Sequence, residues 1–185
     1  MLPYNSQDLV RVHSFSQSDD QTIINLDKQK KNYVAIAVDM FLQPSLVYIR
    51  GRELGLFAEE SLHTVPSVDH EGYIQLPPIA DVKKIQVWDW QHKGNVTAWI
   101  GEHIWMAASA YGPIARGIQI HHINFHKLDN DPKNLWPCTA THHLEAQNSL
   151  QGIMIDLLES RQVKFDRDTG MYLVQGQLAS LIYTK

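Results

Sequence analysis

Apolar and polar positions alternate along "GIQIHHI" (residues 117–123), which predicts a strand whose successive side chains point to opposite faces. "NLWPC" (134–138) predicts a second short strand, pushed toward a sheet edge by Pro137. "TATHHLEAQNSL" (139–150) switches to helical spacing, entered through Thr139 as a capping residue, and "GIMIDLLESR" continues or restarts that helix after Gly152. Upstream, "EHIWMAASAYG" (102–112) is apolar on most sides and ends at a glycine, which predicts a buried helix with Gly112 just past its end. The stretch 117–150 is thus expected to run strand, loop, strand, helix.

The flanks give a coarser picture. "GYIQL" (72–76), "IQVWDW" (85–90) and "NVTAWI" (95–100) are expected to be short strands, the last two joined by a turn at "HKGN". "VKFDRDTGMYLV" (163–174) predicts a hairpin turning at Asp168–Thr169–Gly170. Near the start, "SFSQSDDQ" suggests a loop, "NYVAIAV" and "SLVYIR" suggest strands by their β-branched and aromatic content, and "GRELGLFAEESL" suggests a short amphipathic helix through Leu54, Leu56, Phe57 and Leu62. "HTVPSVDHEG" has the composition of a linker, which places a boundary near residue 70. The expected organisation is an N-terminal accessory region (1–70), a second region (71–160), and a C-terminal hairpin (161–185).

Composition narrows the class but does not name it. A chain of 185 residues, 44% hydrophobic and 19% charged, suits one globular domain or a compact domain with a small lobe. Cys138 is the single cysteine, which excludes an intramolecular disulfide and a four-cysteine zinc site and fits a reducing cytosol. No apolar run reaches the roughly 18 residues of a membrane span. The opening residues lack the shape of a signal peptide, so the mature chain is expected to begin near Met1. A net charge of −4 gives no whole-protein attraction to nucleic acid. Positive residues gather only in small groups (Lys28, Lys30 and Lys31; Arg50 and Arg52; Lys83, Lys84, Lys93 and Arg116), for which solvated surface is the simpler reading.

Histidine changes the picture. Ten are present, and His121, His122, His126, His142 and His143 crowd into one short span. Neighbours on a strand, His121 and His122 project to opposite sides, so one is free to ligate a metal while the other approaches a substrate. A helix returning beside the strand offers His143 as a partner for His121. Phosphodiester hydrolysis asks for this division, with a cation on the phosphate and a separate base for the attacking water.

The doublet "HH" at 121–122, "NL" at 134–135 and His143 together resemble the HNH endonuclease motif, the ββα-metal (His-Me) finger. "EHIWMAASAYGPIARGIQIHHIN" is similar to the helix–Gly-Pro–strand lead-in of its phage and intron members, and the likeness covers about residues 98–150. The resemblance implies an α+β protein with a ββα finger core at 117–150, small additional antiparallel strands and an α/β accessory region. It implies His122 as general base, Asn134 as the brace that bonds loop backbone and fixes that base, and His121 and His143 as ligands of a divalent cation. Gln147 stands where some zinc-binding relatives carry another histidine, so Mg²⁺ or Mn²⁺ is expected over Zn²⁺. The implied partner is double-stranded DNA, cut by a monomer or homodimer of phage or mobile-element homing or nicking type in a bacterial or infected-host cytoplasm, with no membrane involved. A dimeric restriction endonuclease, a catalytically silent DNA-binding finger and a nonspecific toxin-type nuclease are the competing readings.

Other residues have plainer readings. His126, Lys127, Arg116 and Lys133 are candidate DNA contacts, though a solvated loop residue is the simpler reading of His126. His142 reads as helix-start surface, and Asn130 and Asp131 as turn formers. Cys138 is expected in the core, as are Trp88, Trp90, Trp99, Trp105 and Trp136, with Trp90 the tryptophan to test against DNA.

Overall fold

The computed structural model describes residues 13–57, 64–90 and 98–183, with side chains through residue 180. Two compact units divide the chain, Met1–Cys138 and Thr139–Lys185. Helices mix with small antiparallel sheets, an α+β arrangement.

The first unit begins with helices where strands and loop were expected. Ser16 opens α1 (Gln17–Lys28) by accepting from the Asp19 amide, while the Asp19 carboxylate accepts from the Ser16 amide, a reciprocal cap inside the "SFSQSDDQ" read as loop. "NYVAIAV" forms α2 (Tyr33–Met40), started by Asn32, whose side chain accepts from the Ala35 amide. "SLVYIR" lies in α3 (Pro44–Glu53), with Pro44 in its first turn. Both strand expectations are therefore corrected. A short run that is apolar on every side cannot separate a buried helix from a buried strand, and here the starts Asn32 and Pro44 decide. The helix expected from residue 51 is likewise corrected: α3 ends at Glu53, Leu54–Phe57 turn away, and residues 58–62 lie outside the described residues.

Packing in this region is tight. Tyr33 meets Tyr48 edge-on at 5.2 Å, and Phe57 stacks on Tyr48. A Cβ on Gly51 would lie 2.1 Å from the Phe57 ring, so a side chain there would have to displace that ring. Arg50 forks onto Asp20 through Nε and Nη2 at 2.7 and 2.6 Å, tying α3 to α1.

Strands β1 (Ser67–Val68), β2 (Ile74–Leu76) and β3 (Ile100–Gly101) form an antiparallel sheet in that order, with Val68 opposite Ile74 and Leu76 opposite Ile100. The strand expected over 85–90 is only an isolated bridge from Trp88 to Ile114. The "HKGN" turn lies outside the described residues. Between β2 and β3 runs the one-turn helix α4 (Ala80–Lys83). Helix α5 (Glu102–Tyr111) follows β3 directly and packs on β2, β4 and the 3₁₀ turn Pro132–Asn134. It ends at Gly112 with φ 90°, as its composition suggests. Strands β4 (Ile118–His122) and β5 (Leu135–Thr139) pair as a two-stranded sheet. One buried cluster runs from Ile23 through Ile49, Ile74 and Trp105 to Leu135, so residues before and after position 70 share a core.

The second unit opens with α6 (Ala140–Glu159), which runs unbroken through Gly152 and is capped by Thr139 accepting from the His142 amide at 3.2 Å. Strands β6 (Val163–Asp166) and β7 (Met171–Val174) then form the expected antiparallel hairpin, followed by α7 (Gly176–Tyr183). Among the described residues, no single helix is long and apolar enough to cross a membrane.

Candidate active site

The two histidines of the doublet occupy different surroundings at the end of β4. Both rings are buried, at 7% and 6% exposure. His121 lies against aromatic edges, 5.2 Å from the Phe125 ring and 6.2 Å from Trp136, both close to perpendicular. His122 turns to the polar interior, where its Nε2 sits 2.9 Å from Asn130 Oδ1. Strand alternation produces this separation.

Glu102 identifies which atom of the Asn130 amide faces the ring. Asn130 Nδ2 donates to Glu102 Oε2 at 2.8 Å, which leaves Oδ1 as the acceptor toward His122. The His122 proton then resides on Nε2, and Nδ1 keeps its lone pair. Burial lowers the His122 pKa and the Asn130 bond opposes it; the ring stays neutral and able to accept a proton.

A second imidazole stands beside it. His103, on the first turn of α5, lies 5.4 Å from the His122 ring and 4.8 Å from Tyr73. Burial and the neighbouring His122 push its pKa down to about 4, and its buried Nδ1 has no hydrogen-bond partner. The space is made by Gly101, where a Cβ would come within 2.7 Å of His103 Cε1.

The loop between β4 and β5 is laced by its own amides. Asn134 Oδ1 accepts from the Asn124 amide at 2.9 Å and Asn134 Nδ2 donates to the Asp129 carbonyl at 2.8 Å, closing the loop across its base. Asn124 bonds Asp129 and the His126 amide, and Asp131 accepts from the Lys133 amide. Phe125 takes a left-handed backbone, φ 61°, at the tip.

Several expectations need correction. Asn130, read as a turn former, is fully buried and holds His122, whereas Asp131 does serve the turn. Trp105 is core, its Nε1 donating to the Val82 carbonyl, but Trp90, Trp99 and Trp136 are 51%, 40% and 39% exposed. Trp90 stacks on Trp88 at 5.0 Å. Glu102 and His103 were missed altogether. Their only trace in the sequence is a charged and a polar residue opening an otherwise apolar helix.

The remaining candidates are surface groups. Arg116, His126 and Lys133 are exposed, and exposed Lys127 folds back over the Tyr73 ring at 4.4 Å while donating to the Glu71 carbonyl. His143 lies half-buried on the first turn of α6, in the second unit. Among the described residues, no group of three or more His, Cys, Asp and Glu side chains is arranged to hold an ion.

Residues 101–145 match the family model described as HNH endonuclease, a minority of the chain that runs from the α5 start to the first turns of α6. No curated protein and no solved structure matches the chain.

Proposed function

From the match of residues 101–145 to the HNH endonuclease model, we propose that this chain hydrolyses DNA phosphodiester bonds with His122 as general base. The observation that carries the reading is the Nε2–Asn130 bond, which leaves a neutral Nδ1 as the proton acceptor on a ring held in one orientation. His122 takes the proton of the attacking water. Asn134 keeps the loop closed around it through the Asn124 and Asp129 backbone bonds. His121 and His143 would hold a divalent cation, Mg²⁺ or Mn²⁺ before Zn²⁺, which supplies charge stabilisation to the phosphate when bound. The exposed side chains of His126, Arg116 and Lys133 are suited to touch the DNA backbone, and Lys127 can join them by leaving Tyr73.

A single finger carries one set of cutting groups, so a monomer nicks and a homodimer cuts both strands. A phage or mobile-element homing or nicking enzyme is the preferred setting. The test incubates supercoiled plasmid with wild type and His122→Ala across Mg²⁺, Mn²⁺, Zn²⁺ and EDTA. Metal-dependent relaxation by wild type and its loss in the variant are expected. Equal cleavage by both proteins ends the assignment of His122.

A further inference from the structure

The strongest unexplained feature is Glu102, a carboxylate with 0% exposure and no cation beside it among the described residues. Its oxygens are occupied by donors. Oε1 accepts from the Ser45 amide at 2.7 Å; Oε2 accepts from the Ser45 hydroxyl at 2.8 Å and from Asn130 Nδ2 at 2.8 Å, with Gln43 Nε2 at 3.4 Å. The Ser45 hydroxyl also accepts from Gln43 Nε2 at 3.0 Å. Burial raises the Glu102 pKa, and the donors from Asn130 and Ser45 pull against that rise by favouring the carboxylate.

Two helix starts help to hold that charge. Glu102 is the first residue of α5, and Ser45 is the second residue of α3, whose amide has no partner within its own helix. Helix α3 has no side-chain cap from Gln43; the Glu102 carboxylate fills that role from another element. Gln43 meanwhile grips the β4–β5 loop at two points, donating to the Leu128 carbonyl at 3.1 Å and accepting from the Asn130 amide at 3.0 Å.

We propose that Glu102 and Asn130 are positioning residues that fix the tautomer of His122, and that Gln43 and Ser45 anchor them, so the N-terminal region is wired to the base. The proposal rests on the reading of His122 as base. An ionised carboxylate can only accept, so it orients the Asn130 amide with its oxygen toward the ring. That oxygen in turn can only accept, so the imidazole must carry its proton on Nε2. Removing the charge removes the rule. With Glu102→Gln, the side chain gains a donor, Asn130 is free to turn its NH₂ toward the ring, and the proton moves to Nδ1.

The test uses the full-length chain and two readouts. Nitrogen-15 spectra at alkaline pH, with the His122 signals assigned by their loss in His122→Ala, report the tautomer. Steady-state plasmid cleavage reports the chemistry. Glu102→Gln is expected to shift His122 from the Nε2–H toward the Nδ1–H form and to lower kcat by about 100-fold with little change in KM. The double variant E102Q/N130D restores the pattern, because the new carboxylate accepts from both the ring and the new amide; recovery of the Nε2–H form and of most of kcat is expected. A fully retained Nε2–H form in Glu102→Gln, or no recovery in a double variant that melts as wild type does, overturns the proposal. A shifted tautomer with unchanged cleavage supports the relay but removes His122 from the chemistry, so the two readings fail separately.

Discussion

His121 and His122 are consecutive residues on one strand, yet they meet different neighbours. His121 meets the edges of Phe125 and Trp136. His122 meets a chain of hydrogen bonds that passes through Asn130 and Glu102 to Ser45, far away in sequence. A ring proposed as base needs its second nitrogen fixed, and the Asn130 bond fixes that of His122. The contrast teaches that alternation along a strand separates two imidazoles, and that the tasks proposed for them follow from their neighbours rather than from the histidines themselves.

The largest expected effect breaks the polar side. His122→Ala lowers plasmid cleavage by about a thousandfold, the usual scale for a lost general base, while circular dichroism shows the fold retained. Cleavage within about tenfold of wild type would remove the distinction between the two rings.

His103 gives the next effect, through pH. Its pKa falls from 6.5 unfolded to about 4 folded, so the unfolded chain binds the proton first. Stability is then fully present above pH 6.5 and declines as pH falls toward 4, by up to about 3 kcal/mol. Urea midpoints across that range measure it, and His103→Leu should flatten the slope. An unchanged slope would show that another group titrates.

Asn134→Ala strands the Asn124 amide and the Asp129 carbonyl, and is expected to cost about 2 kcal/mol with cleavage reduced in parallel. A shift in urea midpoint without a change in slope is the signature. The smallest effect lies on the proposed ligand side. Thr139→Ala uncaps the helix bearing His143 and is expected to lower stability by about 1 kcal/mol, read as a lower melting temperature.

How far these features can be read without coordinates varies along the chain. The helix before Gly112, the alternation through His122, Thr139 as cap and the hairpin at residue 170 each announce themselves through spacing and a local signal. The apolar runs at 33–38 and 45–50 do not, because apolar residues at nearly every position erase the period that separates helix from strand, and the cues Asn32 and Pro44 are single residues. The site divides in the same way. The doublet, Asn134 and His143 are legible as a motif. Glu102, Ser45 and Gln43 are not, since their roles arise from partners far off in sequence, joined only by the folded chain. Asn130 looks like any loop amide until its burial is known.

The division of labour itself is tested most directly by titrating Mn²⁺ into wild type, His121→Ala and His122→Ala in a calorimeter. The account predicts that His121→Ala loses at least about tenfold in affinity while His122→Ala stays within about threefold of wild type. Equal losses in both variants would mean that the two rings share one job, and would contradict it.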